Sequence, residues 1–283
     1  MLSDYLDGKV LLASTMTRSL IYQYDTEWHE LPVNHPFGIA VGEPLVMTVE
    51  EGYTFYRPDG TKGALYYAER AQAHEAVYDK HGKLWIASPT FSNLCTVDNL
   101  GRYEELWRVP GVDASNDTRT YVNGIALQDG EVRYATALGV SNQPDGWRKR
   151  ASRSNGAIMD VRENRILTED LFAPHSPRWH DSKLYLCESG EGTLITYNPV
   201  KDEKEVVVRL PGFTRGLAFH GNYAFVGQSQ GRPTNSTNAA NEQMLLAQPG
   251  ISVIDLTTNT EVHFEPVDTP EFFDIQIHNH LLQ

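Results

Sequence analysis

Six polar side chains recur at one turn of a repeated strand unit: His74, Glu75, Asn123, His175, Arg215 and Asp274. Two histidines with a carboxylate allow two kinds of chemistry. His74, His175 and either Glu75 or Asp274 could hold one divalent metal ion, which would polarise a carbonyl or activate water. Without a metal, one histidine serves as general acid or base. Arg215 then grips a substrate carboxylate in a bidentate fork, and Asn123 donates to a developing oxyanion. Taken singly, each residue has an ordinary structural use, since a strand-start Asn or Asp caps its own turn and an Arg pairs a carboxylate. Their recurrence at equivalent positions is what points to a site.

Those positions belong to a repeat. Segments starting at Phe37, His74, Asn123, His175, Arg215 and Phe273 share one design of short strand, turn and second apolar strand. The starts are separated by 37, 49, 52, 40 and 58 residues, the blade length of a propeller with loop insertions. Fourth strands read as ALYYAE, YEELWRV, RILTEDL, EVVVRL and EVHFEPV, and no amphipathic helix is apparent. The last unit, FDIQI, supplies one strand, and KVLLAST, SLIYQYD and EWHELPV at the N-terminus supply three more. The expectation is an all-β protein, a six-bladed β-propeller forming one domain over 1–283, with its ring closed by a blade built 1+3 from both termini.

Aligning the units on the residue that ends the first strand produces two adjacent rings. One is Phe37, His74, Asn123, His175, Arg215 and Phe273; the next is Gly38, Glu75, Gly124, Ser176, Gly216 and Asp274. Alternation along a strand sends them to opposite sides. Second strands end in polar residues expected near the same mouth, among them Thr136, Glu188 and Gln228. The long insertions, 139–156 and 229–250, fall on that face, where loops carry specificity. The first holds Trp147 and the basic run Arg148, Lys149, Arg150 and Arg153; Trp147 and Arg148 are read as substrate contacts. His81, His180, His220 and His278 fall on the opposite face and read as structural.

The chain has 24 Lys+Arg against 37 Asp+Glu, a net charge of −13, which argues against nucleic acid and anionic membrane as partners. No window approaches the roughly 20 apolar residues of a membrane span. The N-terminus lacks the basic start of a signal peptide. Cys95 and Cys187 lack CxxC spacing and read as buried free thiols of a cytoplasmic protein. GxSxG, Walker and GxGxxG motifs are missing, so no organic cofactor is indicated.

The runs VNGIAL, YATALG, APHSPRWHDSKLYL and LPGFTRGLAFHGNYAFVG resemble a bacterial family of conserved hypothetical proteins, some members of which are joined to tetratricopeptide repeats. More distantly, the blade pattern is similar to gluconolactonase/senescence-marker-protein and strictosidine-synthase-like propellers. The gluconolactonase group implies a central metal held by a Glu, two Asn-type residues and an Asp. Asn123 matches that group's Asn-Gly strand start, whereas Phe37-Gly38 stands where its Glu-Gly-Pro would be. The functional expectation is an enzyme of hydrolase or lyase/isomerase type acting on a small polar, anionic molecule at the central mouth. His74, His175, Glu75 and Asp274 would be the catalytic set, and the alternative is a non-catalytic binding propeller.

Overall fold

The structure, a computed structural model, describes residues 1–16, 20–24, 27–31, 33, 35–67, 72–150, 155–231 and 242–279. Short β-branched and aromatic runs bounded by Gly, Asp and Asn form strands that pair antiparallel into six four-stranded sheets. In chain order these begin with β1 (Val10–Thr15), β2 (Leu20–Tyr24) and β3 (Glu27–Leu31). Then come β4 (Ile39–Ala40), β5 (Leu45–Val49), β6 (Gly52–Tyr56) and β7 (Lys62–Tyr66). The third sheet is β8 (Glu75–Tyr78), β9 (Leu84–Ser88), β10 (Asn93–Val97) and β11 (Tyr103–Arg108). The fourth is β12 (Val122–Gln128), β13 (Glu131–Ala137), β14 (Gly156–Asp160) and β15 (Arg165–Leu171). The fifth is β16 (Pro174–His180), β17 (Lys183–Glu188), β18 (Thr193–Asn198) and β19 (Glu203–Arg209). Last come β20 (Phe213–His220), β21 (Tyr223–Ser229), β22 (Gly250–Asp255) and β23 (Thr260–Pro266), followed by β24 (Phe272–His278).

β24 joins the first sheet as its innermost strand, with Leu11 opposite Ile277 and Ser14 opposite Asp274. Both ends of the chain therefore build one sheet, and pairing β24 to β1 hides two edges that would otherwise template association. Neighbouring innermost strands touch all the way round, from β4 through β8, β12, β16 and β20 to β24 and back to β4. The fold is a β-propeller.

The expectation of six like blades is corrected to five full blades, with the remaining sheet reduced. Five sheets are full blades, with innermost strands of four to eight residues. The β4–β7 sheet completes the ring with an innermost strand of only two residues, Ile39–Ala40. Pro36 and Pro44 flank that strand and cannot donate to a ladder. Gly38 lies so close to β8 that a Cβ there would sit 2.5 Å from the Glu75 Cα, so the chain is committed to its neighbour before the strand begins.

Packing between sheets supplies the core. Ile125, Ala135 and Met159 of one blade bury against Ala87, Leu94 and Trp107 of the preceding one. Leu2, Leu6 and Leu11 likewise lie against Phe225, Ile251 and Phe272. Each such large side chain contributes about 1.5–3 kcal/mol on burial. Cys95 and Cys187 are both free and buried, and burial pushes the Cys187 thiol up to about 12. Among the described residues no helix is long and apolar enough to cross a membrane. Among the described residues, two short α-helices, α1 (Gly146–Arg150) and α2 (Glu242–Leu245), lie in the long insertions.

Candidate functional site

The ring containing Glu75 and Asp274 alternates glycine with a polar residue: Gly38, Glu75, Gly124, Ser176, Gly216, Asp274. Each polar member latches its strand to the next one. Glu75 Oε2 accepts from Ile125 N at 2.9 Å, Ser176 Oγ from Gly216 N at 3.0 Å, and Asp274 Oδ2 from Ile39 N at 2.9 Å. The glycines make the room these latches need. A Cβ on Gly124 would meet Pro177 Cδ and Thr136 Oγ1 at 2.4 Å.

Arg178 completes this tier. From β16 it reaches the two carboxylates on alternate strands of the ring, bonding Glu75 Oε1 through Nη1 and Asp274 Oδ1 through Nη2 at 2.9 Å. The three side chains are 14%, 4% and 2% exposed, so this is a buried ion triad spanning the centre. Burial raises the Glu75 carboxyl to about 7 against the pull of Arg178, with Asp274 adding to the rise. Burial raises Asp274 as well, but it accepts from Arg178, Ile39 N, Ile275 N and Gln276. Glu75, with fewer donors, is the member that holds a proton more readily.

The other ring faces the loops. His74 Nδ1 lies 3.2 Å from the Asn123 carbonyl, which can only accept, so Nδ1 carries the proton. His74 Nε2 then accepts from Arg215 Nη2 at 2.7 Å, across the ring from β20. Arg215 Nη1 bonds Glu271 Oε1 at 2.9 Å. His175 Nδ1 lies 3.0 Å from the Ala173 carbonyl and 2.8 Å from Ser189 Oγ, so it too is protonated at Nδ1. Its Nε2 has no partner among the described residues. Both imidazoles are held well below their ordinary value, first by burial and then by the Arg215 charge, with His175 a further cause for His74.

Aromatic rings frame this tier. The two imidazoles stack with centroids 6.0 Å apart. Phe37 stacks on His74, Phe273 lies 5.1 Å from Phe37, and the Arg215 guanidinium sits 4.5 Å over Phe273. Tyr121 meets His74 edge-on and carries Trp147 at 4.5 Å, while Phe213 stands edge-on to His175. Trp147 is buried with Leu138, Phe172, Ala173 and Phe213, so the first insertion covers this side of the mouth.

All six polar residues singled out in the sequence thus converge, but most of their polar atoms are occupied. Asn123 spends its amide on the Pro174 carbonyl at 2.8 Å and on Thr136 Oγ1 at 2.9 Å. Glu188 accepts from Phe172 N at 3.0 Å and from Lys204 at 2.9 Å, turned toward the outer strand β19 of its own blade. Gln228 bonds Gly212 N at 2.9 Å and Ser252. Arg148 is exposed, with its guanidinium 4.5 Å over the Trp147 ring and 3.7 Å from Asp145. The side chains of Lys149 and Arg150, and the whole of Arg153, lie outside the described residues.

A divalent ion does not fit this arrangement. His74 Nε2 faces a guanidinium, His74 Nδ1 is protonated, and Glu75 is held by Arg178. Among the described residues no three His, Cys, Asp or Glu side chains are grouped to ligate one ion.

Arg178, Glu271, Ser189 and Tyr121 were not singled out in the sequence. Arg178 carried a signal: it lies one residue before Trp179, where the other units have Ala40, Val77, Ala126, Ala218 and Gln276. That position shares strand parity with Glu75 and Asp274, so an Arg there points to the same side. Glu271 precedes β24 and carries no such mark.

The sequence model of a family described as "Domain of unknown function (DUF4915)" matches residues 61–283. No curated protein sequence matches the chain. Among the solved structures that share its fold are two that match nearly the whole chain. One, titled "Crystal structure of Nidogen/Laminin Complex", has a TM-score of 0.68 and 15% identity, over 97% of this chain and 99% of that one. The other, a protein of unknown function from Bacteroides caccae, has a TM-score of 0.63 and 10% identity, over 96% of this chain and 100% of that one. At these identities the likeness concerns the fold alone.

Proposed function

The chain belongs to the DUF4915 family, and on that premise we propose that its loop-face mouth is the site of an enzyme that moves a proton on a small polar molecule. Hydrolysis and elimination are the reaction classes that need such a step. One observation carries the reading. His175 Nδ1 is committed to the Ala173 carbonyl, which leaves the Nε2 lone pair without a partner among the described residues. A neutral imidazole fixed in one tautomer beside a guanidinium is equipped to accept a proton from a bound O–H or N–H. Arg215, His74 and Glu271 form the floor beneath it. Glu75 and Asp274 support that floor as latches and as partners of Arg178.

The test is a thermal-shift screen of the wild type and His175→Gln against small polar metabolite classes, followed by turnover assays on each hit. A ligand that stabilises the wild type, is converted by it, and is bound but not converted by His175→Gln supports the proposal. Stabilisation of both proteins with no turnover would indicate the non-catalytic binding propeller instead.

A further inference from the structure

Three of the five tryptophans stand at one groove away from the mouth. Trp85, Trp107 and Trp179, with Tyr134, line an open cleft of about 860 Å³ between the third, fourth and fifth sheets. The cleft runs past the β12–β13, β14–β15 and β18–β19 turns. Those turns are at the blade ends opposite the mouth, because each first strand starts at the mouth and runs away from it. We infer that this groove binds a neutral, β-1,4-linked oligosaccharide.

Trp85 and Trp179 are only half-buried, and both are held in place. Trp85 Nε1 donates to Asp79 Oδ2 at 3.0 Å, and the neighbouring Trp107 Nε1 donates to Asn164 Oδ1 at 2.9 Å. Trp179 is backed by Tyr134, with centroids 5.9 Å apart and planes 23° from parallel. Fixed indoles with spent N–H groups offer ring carbon to whatever enters. A β-linked pyranose with equatorial hydroxyls carries C–H bonds on both faces, and their slightly positive hydrogens suit the negative face of an aromatic ring. A peptide would instead need donors for its carbonyls, and the Trp85 and Trp107 N–H groups are already used.

The polar rim carries both signs. Lys80, Arg133 and Arg162 stand with Asp129 and Glu131. Lys80 is held by Glu131 at 2.8 Å and Arg133 by Asp160 at 2.6 Å. The side chains of Gln128, Asp129 and Arg162 make no hydrogen bond or ion pair among the described residues, and the last two are exposed. An amide, a carboxylate and a guanidinium both donate to and accept from hydroxyls, and the charged ones make the stronger bonds. A polyanion would meet Asp129, Glu131 and a net charge of −13.

The extent fits a chain of sugars. Small-molecule clefts span roughly 300–1,000 Å³, and this one lies within that range. Trp179, Pro199 and Val200 also wall a second cleft of about 280 Å³, where Lys183 and Asn198 continue the polar lining. Rings on both sides of Trp179 suit an oligomer better than one monosaccharide.

The experiment is isothermal titration calorimetry on the full chain with cellohexaose, xylohexaose and chitohexaose. Glucose, hexagalacturonate and a capped decaproline are titrated beside them. At least one neutral hexasaccharide should bind, roughly tenfold or more tighter than glucose. Trp85→Ala and Trp179→Ala should each weaken it roughly tenfold. Arg162→Ala, at an exposed position that leaves Tm unchanged, should weaken it roughly two- to fivefold. His175→Gln should bind it as the wild type does. Absence of binding by all three hexasaccharides overturns the inference, as does glucose binding equally well. Tighter binding of hexagalacturonate overturns the neutral class, and binding of decaproline alone makes the groove a peptide site. Sugar binding that is unchanged in Arg162→Ala, or lost in His175→Gln, overturns the location even if a tryptophan variant fails to fold.

Discussion

Arg215 and His74 stand on opposite sides of the ring and meet over its centre, Nη2 to Nε2 at 2.7 Å. After burial, the Arg215 charge is the next cause that holds both imidazoles neutral. A guanidinium bonded to a ring nitrogen keeps that nitrogen a lone-pair acceptor, and its charge depresses His175 as well.

Replacing Arg215 by Met should therefore have two effects. Glu271 loses its buried cation, a loss of about 3–5 kcal/mol in urea unfolding. The His74 and His175 titrations, followed by NMR, should move upward toward the ordinary histidine value. Unmoved titrations would show that burial alone sets them.

Glu75 sets one part of the pH dependence. Its folded value is raised from 4.5 to about 7, so the folded state binds the proton that the unfolded state releases first. The stability this contributes is complete below pH 4.5 and is lost as pH rises to about 7. The wild type should lose on the order of 3 kcal/mol relative to Glu75→Gln across that window. Parallel stability curves for the two proteins would contradict the raised value.

The two histidines act with the opposite sign. Their folded values lie below 6.5, so the stability of burying them neutral is present above pH 6.5 and drains away as pH falls below it. His175→Gln should lose less stability than the wild type on acidification from about pH 7 to about pH 5, measured by denaturant midpoints. Equal acid losses would place the sensitivity elsewhere.

Gly124 tests the latch tier sterically. A methyl there would press on Pro177 and Thr136 at 2.4 Å and approach Glu75 Oε2 at 3.1 Å. Gly124→Ala should cost about 1–3 kcal/mol in unfolding free energy. At Gly60, where nothing lies within 4 Å, the same change meets no neighbour, and any cost comes from its positive φ of 81°. Equal losses at the two sites would show that packing at Gly124 is looser than its distances imply.

The strand pattern was legible because each unit carries its own alternation and turn residues, and because KVLLAST and FDIQI complement each other at the two ends. The reduction of β4 was not, since it depends on Gly38 pressing against Glu75 on another sheet. The candidate site was legible as a set of positions. His74, Glu75, Asn123, His175, Arg215 and Asp274 do converge, and the alternation of Gly38, Gly124 and Gly216 with Glu75, Ser176 and Asp274 could be read directly. Glu188 and Gln228 turn into their own blades, because the polar end of a strand says nothing about which neighbour will bond it.

Residue types and their spacing determined which side chains reach the centre, because position along a strand is a local property and alternation carries it inward. Tertiary structure alone decided which of those side chains remain available for chemistry. Asn123 is consumed by Pro174 and Thr136, Glu75 by Arg178 and Ile125, and Arg215 by Glu271 and His74, while among the described residues one nitrogen of His175 has no partner. Hydrogen bonds saturate, and each of those partners comes from a different part of the chain.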